Sequence, residues 1–122
     1  MEHSFCPECY EMRDFNEVFK SDTFNFYGQE IEITSRFLEC TICGEEITDP
    51  KRIDENFIKA YTKYRNENNL LHSEEIKNIR EKKNLSQEEF AEILGCSKRT
   101  IQRIETGALQ TKEQDKKIRE LV

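Results

Sequence analysis

The spacing of apolar residues changes period along the chain, and each change marks a predicted element. From Thr23 to Phe37 apolar and polar residues alternate imperfectly, with Phe24 and Phe26 on one face and Ile31 and Ile33 on one face. Gly28-Gln29 falls between the two runs, so the pattern predicts a short antiparallel hairpin, Thr23–Tyr27 with Glu30–Phe37, and a third strand near Phe15–Lys20. Asp49-Pro50 is a helix-start signal, and Ile53, Phe57, Tyr61 and Tyr64 follow at i, i+4, i+8 and i+11. That stripe predicts a helix of about four turns ending near Asn66. Asn66-Glu67-Asn68-Asn69 is a polar break and the best linker candidate. Beyond it Ser73 can cap a helix over 74–83, with Ile76 and Ile79 inward and Asn84 as its stop.

The most regular stretch is Leu85 to Gly107. Ser86 and Glu89 stand three apart, the spacing of a capping box at the start of a helix. Gly95 supplies the left-handed stop, Ser97 caps a second helix, and Gly107 closes it. Phe90, Leu94, Ile101 and Ile104 fall on inward faces, and Ala91 is small where two axes must approach closely. Lys98, Arg99, Gln102 and Arg103 are left pointing outward. This is the layout of a helix-turn-helix that puts its second helix in a DNA major groove. A last helix is predicted from about Thr111 through Ile118 and Leu121. The fold class is therefore α+β. A small N-terminal hairpin or ribbon-like domain with a helix (1–69) precedes an all-α helix-turn-helix domain (70–122).

Composition supports two small units over one large core, since 35% of the 122 residues are hydrophobic and 36% are charged. No apolar run approaches the roughly 18 residues of a membrane span. No basic N-terminal region precedes an apolar segment either, so the cytoplasm is the default compartment. The net charge of −6 is at odds with DNA binding until it is divided. Residues 1–71 carry 15 acidic and 8 basic side chains, while residues 72–122 carry 10 acidic and 11 basic. The acidity belongs to the N-terminal part, which suits a protein partner better than phosphates.

Cys6-Pro7-Glu8-Cys9 and Cys40-Thr41-Ile42-Cys43-Gly44 are two C-x-x-C pairs 30 residues apart. Each can form a knuckle whose backbone N–H groups point at the sulfurs. Together they make a four-cysteine site for one structural Zn2+, with Cys6, Cys9, Cys40 and Cys43 as ligands and no position open to water. Redox use of a pair is the main rival, but no βαβ pattern flanks either one. Disulfides rank lower in an intracellular chain. Cys96 reads as a buried structural thiol. His3 lies beside the first knuckle without being needed as a ligand, and His72 reads as a linker residue. No Ser/His/Asp or Cys/His constellation is present, and the expectation is a non-enzyme.

Residues 72–110 resemble the Cro/phage-repressor-like, Xre-type helix-turn-helix class. The resemblance is carried by Leu85-Ser86-Gln87-Glu88-Glu89-Phe90-Ala91, Leu94-Gly95-Cys96-Ser97 and Thr100-Ile101-Gln102-Arg103-Ile104-Glu105-Thr106-Gly107. Behind a paired C-x-x-C module, that domain is similar to the MqsA-type antitoxins. The resemblance implies a structural zinc, an N-terminal domain that grips a protein toxin, and a homodimer that represses its operon at a palindromic operator. It places Arg99 and Arg103 at base-reading positions, Lys98 at a base or phosphate contact, and Gln87 at a phosphate. It also pairs Arg80 with Glu105 inside the domain. Similar front ends precede a further domain in longer antitoxins.

The chemistry agrees. Arginine can donate two parallel hydrogen bonds to guanine O6 and N7, and Arg99 and Arg103 are one turn apart. Gln102 could pair with adenine or be a solvated helix former. Ser97 and Thr100, at the helix start, are candidates for phosphate contact or packing. The competing readings are a zinc-containing helix-turn-helix transcriptional regulator without a toxin partner, and a protein-interaction adaptor whose helix-turn-helix has lost DNA binding, the latter motivated by the weak positive charge of the C-terminal part.

Overall fold

A computed structural model describes residues 2–122. Four strands and then five helices follow in chain order: β1 Glu2–Cys6, β2 Glu11–Phe26, β3 Gln29–Cys40, β4 Glu46–Ile47, α1 Glu55–Asn68, α2 Ser73–Lys82, α3 Gln87–Leu94, α4 Lys98–Glu105 and α5 Lys112–Arg119. The α+β class is as expected. The chain divides into two compact units, one ending at Ala60 and one running Tyr61–Val122.

The first unit is an antiparallel sheet ordered β1-β2-β3-β4. Its hairpin differs from expectation. β2 is one continuous 16-residue strand that absorbs the predicted third strand, and its turn is Tyr27-Gly28, one residue earlier than predicted. Both turn residues have positive φ, 52° and 84°, the pattern of a two-residue turn whose twist matches its strands. The sheet buries opposite faces at its two ends. Near the hairpin, Phe24 and Ile31 are directly opposite each other, and the Phe57 ring of α1 meets Phe24 edge-on at 5.1 Å. At the other end Phe15 and Cys40 are opposite each other and bury with Cys6 and Leu38.

Beyond its short pairing with β4, the edge of β3 is covered by side chains. Asn56 Oδ1 accepts from the Arg36 N–H at 2.9 Å, and Asn56 Nδ2 donates to the Arg36 carbonyl at 2.9 Å. Lys59 donates to the Thr34 carbonyl beside it. The Arg36 side chain gathers Asp49 at 3.0 Å, Glu55 at 2.8 Å and Glu17 at 3.5 Å. The Asp49-Pro50 signal therefore precedes a turn, with Lys51 N–H bonded to Asp49 Oδ1, and the helix proper begins at Glu55. It also runs two residues beyond the predicted stop, to Asn68.

The second unit packs around Ile76, Phe90, Ala91, Leu94, Ile101, Ile104 and Ile118, with Leu71, Ile79, Leu85, Cys96 and Leu121 against them. Four helices end alike. Leu70 N–H bonds the Arg65 carbonyl, Leu85 the Arg80 carbonyl, Cys96 the Ala91 carbonyl and Ala108 the Arg103 carbonyl. In each case the preceding residue has positive φ: Asn69, Asn84, Gly95 and Gly107. This Schellman closure satisfies carbonyls that the helix leaves free. One start differs from expectation. His72, not Ser73, is the residue before α2, and Glu75 accepts its N–H at 3.0 Å. Ser73 is the first helical residue, its hydroxyl buried and without a partner among the described residues.

Candidate metal centre and nucleic-acid interface

The ends of β1 and β3 bring the two C-x-x-C pairs together. Cys6 closes β1, and a turn held by Tyr10 N–H to the Cys6 carbonyl at 2.8 Å returns the chain past Cys9. Cys40 closes β3, and Gly44 N–H bonds its carbonyl at 3.0 Å with Gly44 at φ 78°. The four sulfurs lie within 4.8 Å of one another, Cys6 to Cys43 at 3.5 Å and Cys9 to Cys40 at 4.0 Å. A tetrahedral centre of zinc and four sulfurs, with bonds of about 2.3 Å, requires sulfur separations of about 3.8 Å. The cluster is therefore of the size and donor type that can hold a metal ion such as zinc. All five cysteines are unbridged.

The surroundings pull the thiols of the cluster in opposite directions. Cys9 N–H points at Cys6 Sγ at 3.4 Å. Backbone N–H groups of Cys43 and Ile42 hold Cys40 down to about 7 against the opposing effect of burial. Glu45 N–H acts in the same direction on Cys43, but burial and the neighbouring sulfurs outweigh it and push Cys43 up to about 12. One sulfur ionises readily and the next resists, because like charges crowd one site. A bound dication removes that conflict. Arg13 is an addition that sequence reading missed. Its Nη2 donates to Glu11, and the neighbouring Cys9 sulfur and Glu11 raise its pKa against the opposing effect of burial. The only signal for it was alternation, which puts Arg13 on the Phe15 side of β2.

His3 is not part of the cluster. Its Nδ1 pairs with exposed Asp14 at 3.0 Å.

The second site is built by α3 and α4. Ser86 accepts from Glu89 N–H at 3.1 Å while Glu89 accepts from Ser86 N–H at 2.9 Å, which lowers the Glu89 pKa. Ser97 accepts from Thr100 N–H at 3.2 Å, and the two hydroxyls also bond at 3.0 Å. Ile101 and Ile104 are buried, which turns Lys98, Arg99, Gln102 and Arg103 outward. Glu105 is locked by Arg80 at 2.7 and 3.1 Å, and Arg80 also donates to the Leu85 carbonyl.

Residues 76–114 match the helix-turn-helix family. This segment is a helix-turn-helix domain of the Xre type. No curated protein matches the chain.

Within the domain, Lys98 is exposed and pairs with Glu88 at 3.5 Å. Arg99, Gln102 and Arg103 have no ion pair or side-chain hydrogen bond among the described residues, and all three are exposed. Gln87 is half-buried at the start of α3 and donates to Glu105 at 3.3 Å. Its amide would have to leave that contact to reach a phosphate. Cys96 is half-buried against the core, and burial raises its pKa. No described helix is long and apolar enough to cross a membrane.

Proposed function

We propose that this chain is a cytoplasmic transcriptional repressor of the antitoxin type. In this reading α4 enters the major groove of a palindromic operator as part of a homodimer. The metal-binding unit holds one structural Zn2+ on Cys6, Cys9, Cys40 and Cys43 and binds a protein toxin. The observation that carries the DNA-reading part is the state of α4. Its inner face is fixed by Ile101, Ile104 and the Arg80–Glu105 pair, while Arg99 and Arg103 are uncommitted. Rigid placement with unspent guanidinium groups is what bidentate guanine contacts need. Lys98, Gln87, Ser97, Thr100 and Gln102 surround them as backbone or secondary base contacts. The N-terminal limit of the DNA-binding domain at residue 70 is part of the same proposal.

Bound zinc would supply the charge that holds four thiolates together, so its role is to join the ends of β1 and β3. Support for a protein partner comes from an exposed apolar patch on the same unit. Phe5 and Met12 are directly opposite each other on β1 and β2, and Tyr10, 80% exposed, packs edge-on against Phe5 at 5.4 Å. Glu2, Glu8, Glu11 and Asp14 lie around it in sequence and register, which suits a basic partner.

The test is DNA binding by an Arg99→Ala, Arg103→Ala double variant. Loss of the two contacts should lower the ratio of preferred-duplex to random-duplex affinity by about 100-fold or more, with the fold intact by circular dichroism. An unchanged ratio would remove α4 as the reading element. A wild-type affinity that does not fall steeply with salt would favour the adaptor reading, because phosphate contacts release counterions.

A further inference from the structure

We infer that Arg65, which lies before the family-matched segment, is a positioning residue for the DNA-reading helix: its guanidinium fastens the chain where α4 ends. The inference rests on the proposal that α4 reads DNA, and it adds a residue from α1 to that machinery.

Arg65 is 2% exposed, yet among the described residues no carboxylate is hydrogen-bonded to it, and Asp115 attracts it only from a distance. Its hydrogen bonds go to neutral acceptors. Nε and Nη2 donate to Gln110 Oε1 at 3.0 and 2.9 Å, Nη1 donates to the Gly107 carbonyl at 3.1 Å, and Nη2 also donates to the Ala108 carbonyl. Gly107 and Ala108 are the residues of the Schellman closure of α4. A cation there also meets the negative end of the helix dipole. Burial lowers the pKa of Arg65, opposed by attraction to Asp115 and Tyr61, without removing its charge.

The receiving side is equally constrained. Gln110 is fully buried, and its amide can face only one way. The oxygen accepts from Arg65, while Nε2 donates to the Leu71 carbonyl at 2.7 Å and to Asp115 Oδ1 at 3.1 Å. Asp115 in turn accepts from Leu71 N–H at 2.8 Å and from Arg119 Nε at 2.7 Å. The network thus ties α1, the segment before α2, the loop after α4 and α5. A burial this costly in a charged group is offset only by good partners, and each of the three guanidinium nitrogens donates to one here. A lysine has one point of charge and cannot span Gly107, Ala108 and Gln110 as a planar fork does.

Removing the guanidinium would leave two carbonyls and the Gln110 oxygen without donors inside the unit. Ile101 and Ile104 would still anchor α4 in the core. The expected consequence is a loosened end of α4 and a less well-aimed Arg99 and Arg103, more than a lost fold.

The experiment uses the full chain. Wild-type protein first selects its preferred duplex from a random-sequence pool. Affinities for that duplex and for an unrelated duplex are then measured at one salt concentration for wild type, Arg65→Met and Arg65→Lys, alongside hydrogen exchange. Arg65→Met should lose about 10- to 100-fold for the preferred duplex, the equivalent of one bidentate contact, and about 3-fold or less for the unrelated one. Exchange should quicken at 106–108 and not in α3. Arg65→Lys should fall between, and it carries the same test if Arg65→Met does not fold. An affinity ratio equal to wild type in a folded variant, or a proportional fall in both affinities, overturns the inference and leaves the DNA-reading proposal standing. A wild type that selects no sequence overturns that proposal, and this one with it.

Discussion

The two units solve the problem of small size by different means. The helical unit buries seven apolar side chains in one cluster and ends its helices with local turns that need no outside help. At the thiol end of the sheet unit the buried cluster has four members, of which two, Cys6 and Cys40, are metal-ligand candidates. Without a shared ligand, that cluster has Phe15 and Leu38, with partly buried Ile47 against them, beside thiols that repel one another on ionisation. With the proposed zinc in place, one unit is held by shape and the other by coordination, so each should fail under a treatment the other survives.

The largest effect is expected from chelation. Structural zinc contributes on the order of 10 kcal/mol to domains of this kind. A strong chelator should therefore abolish the near-ultraviolet signal of the sheet unit, with its Tyr and Phe rings, while the helical far-ultraviolet signal persists. A single cooperative loss of both would break the comparison. A cavity in the helical core should do the reverse. Phe90→Ala removes a fully buried ring from that cluster and should cost about 3–5 kcal/mol in the helical unit. The metal content should stay unchanged, as measured by thiol-specific zinc release.

The smallest effect is expected at Arg36 and Asp49, where the sheet unit has a polar fastening independent of metal. Lys51 N–H first, and then the Arg36 guanidinium, hold the Asp49 carboxyl below its usual range. A depressed folded value means stability that is present above about pH 4, the unfolded carboxylate range, and is lost as pH falls through the folded value. Asp49→Asn should cost about 2 kcal/mol at neutral pH and flatten the acid limb of the stability profile. An acid limb identical to wild type would assign it to other carboxylates.

What was legible in the chain was local or strictly spaced. The Ser86–Glu89 box and the Gly95 and Gly107 stops are decided within a few residues, and the structure has them where the pattern puts them. The thiol cluster was legible because its spacing is chemically restrictive. The length of β2 was not. Phe15 is buried from one face and Phe24 faces the other, so alternation slips phase through Lys20-Ser21-Asp22-Thr23 and reads as a break. The cause is tertiary, since the thiol cluster covers one end and Phe57 of α1 the other. Asn56 and Arg65 were illegible for the same reason. Each looks like an ordinary solvated helix residue until its partner at position 36 or 107 is known.

The four left-handed helix stops have a consequence in time. Each reversal of direction in the helical unit is decided within about six residues, so little loop-closure entropy precedes the contacts that reward it, and such topologies reach the native state in microseconds to milliseconds. The thiol cluster needs Cys6 to find Cys43 across most of a sheet and then to recruit an ion. If the cluster takes up zinc as proposed, newly made chains should therefore pass through an interval in which the helical unit is already formed and the sheet unit still waits for the ion.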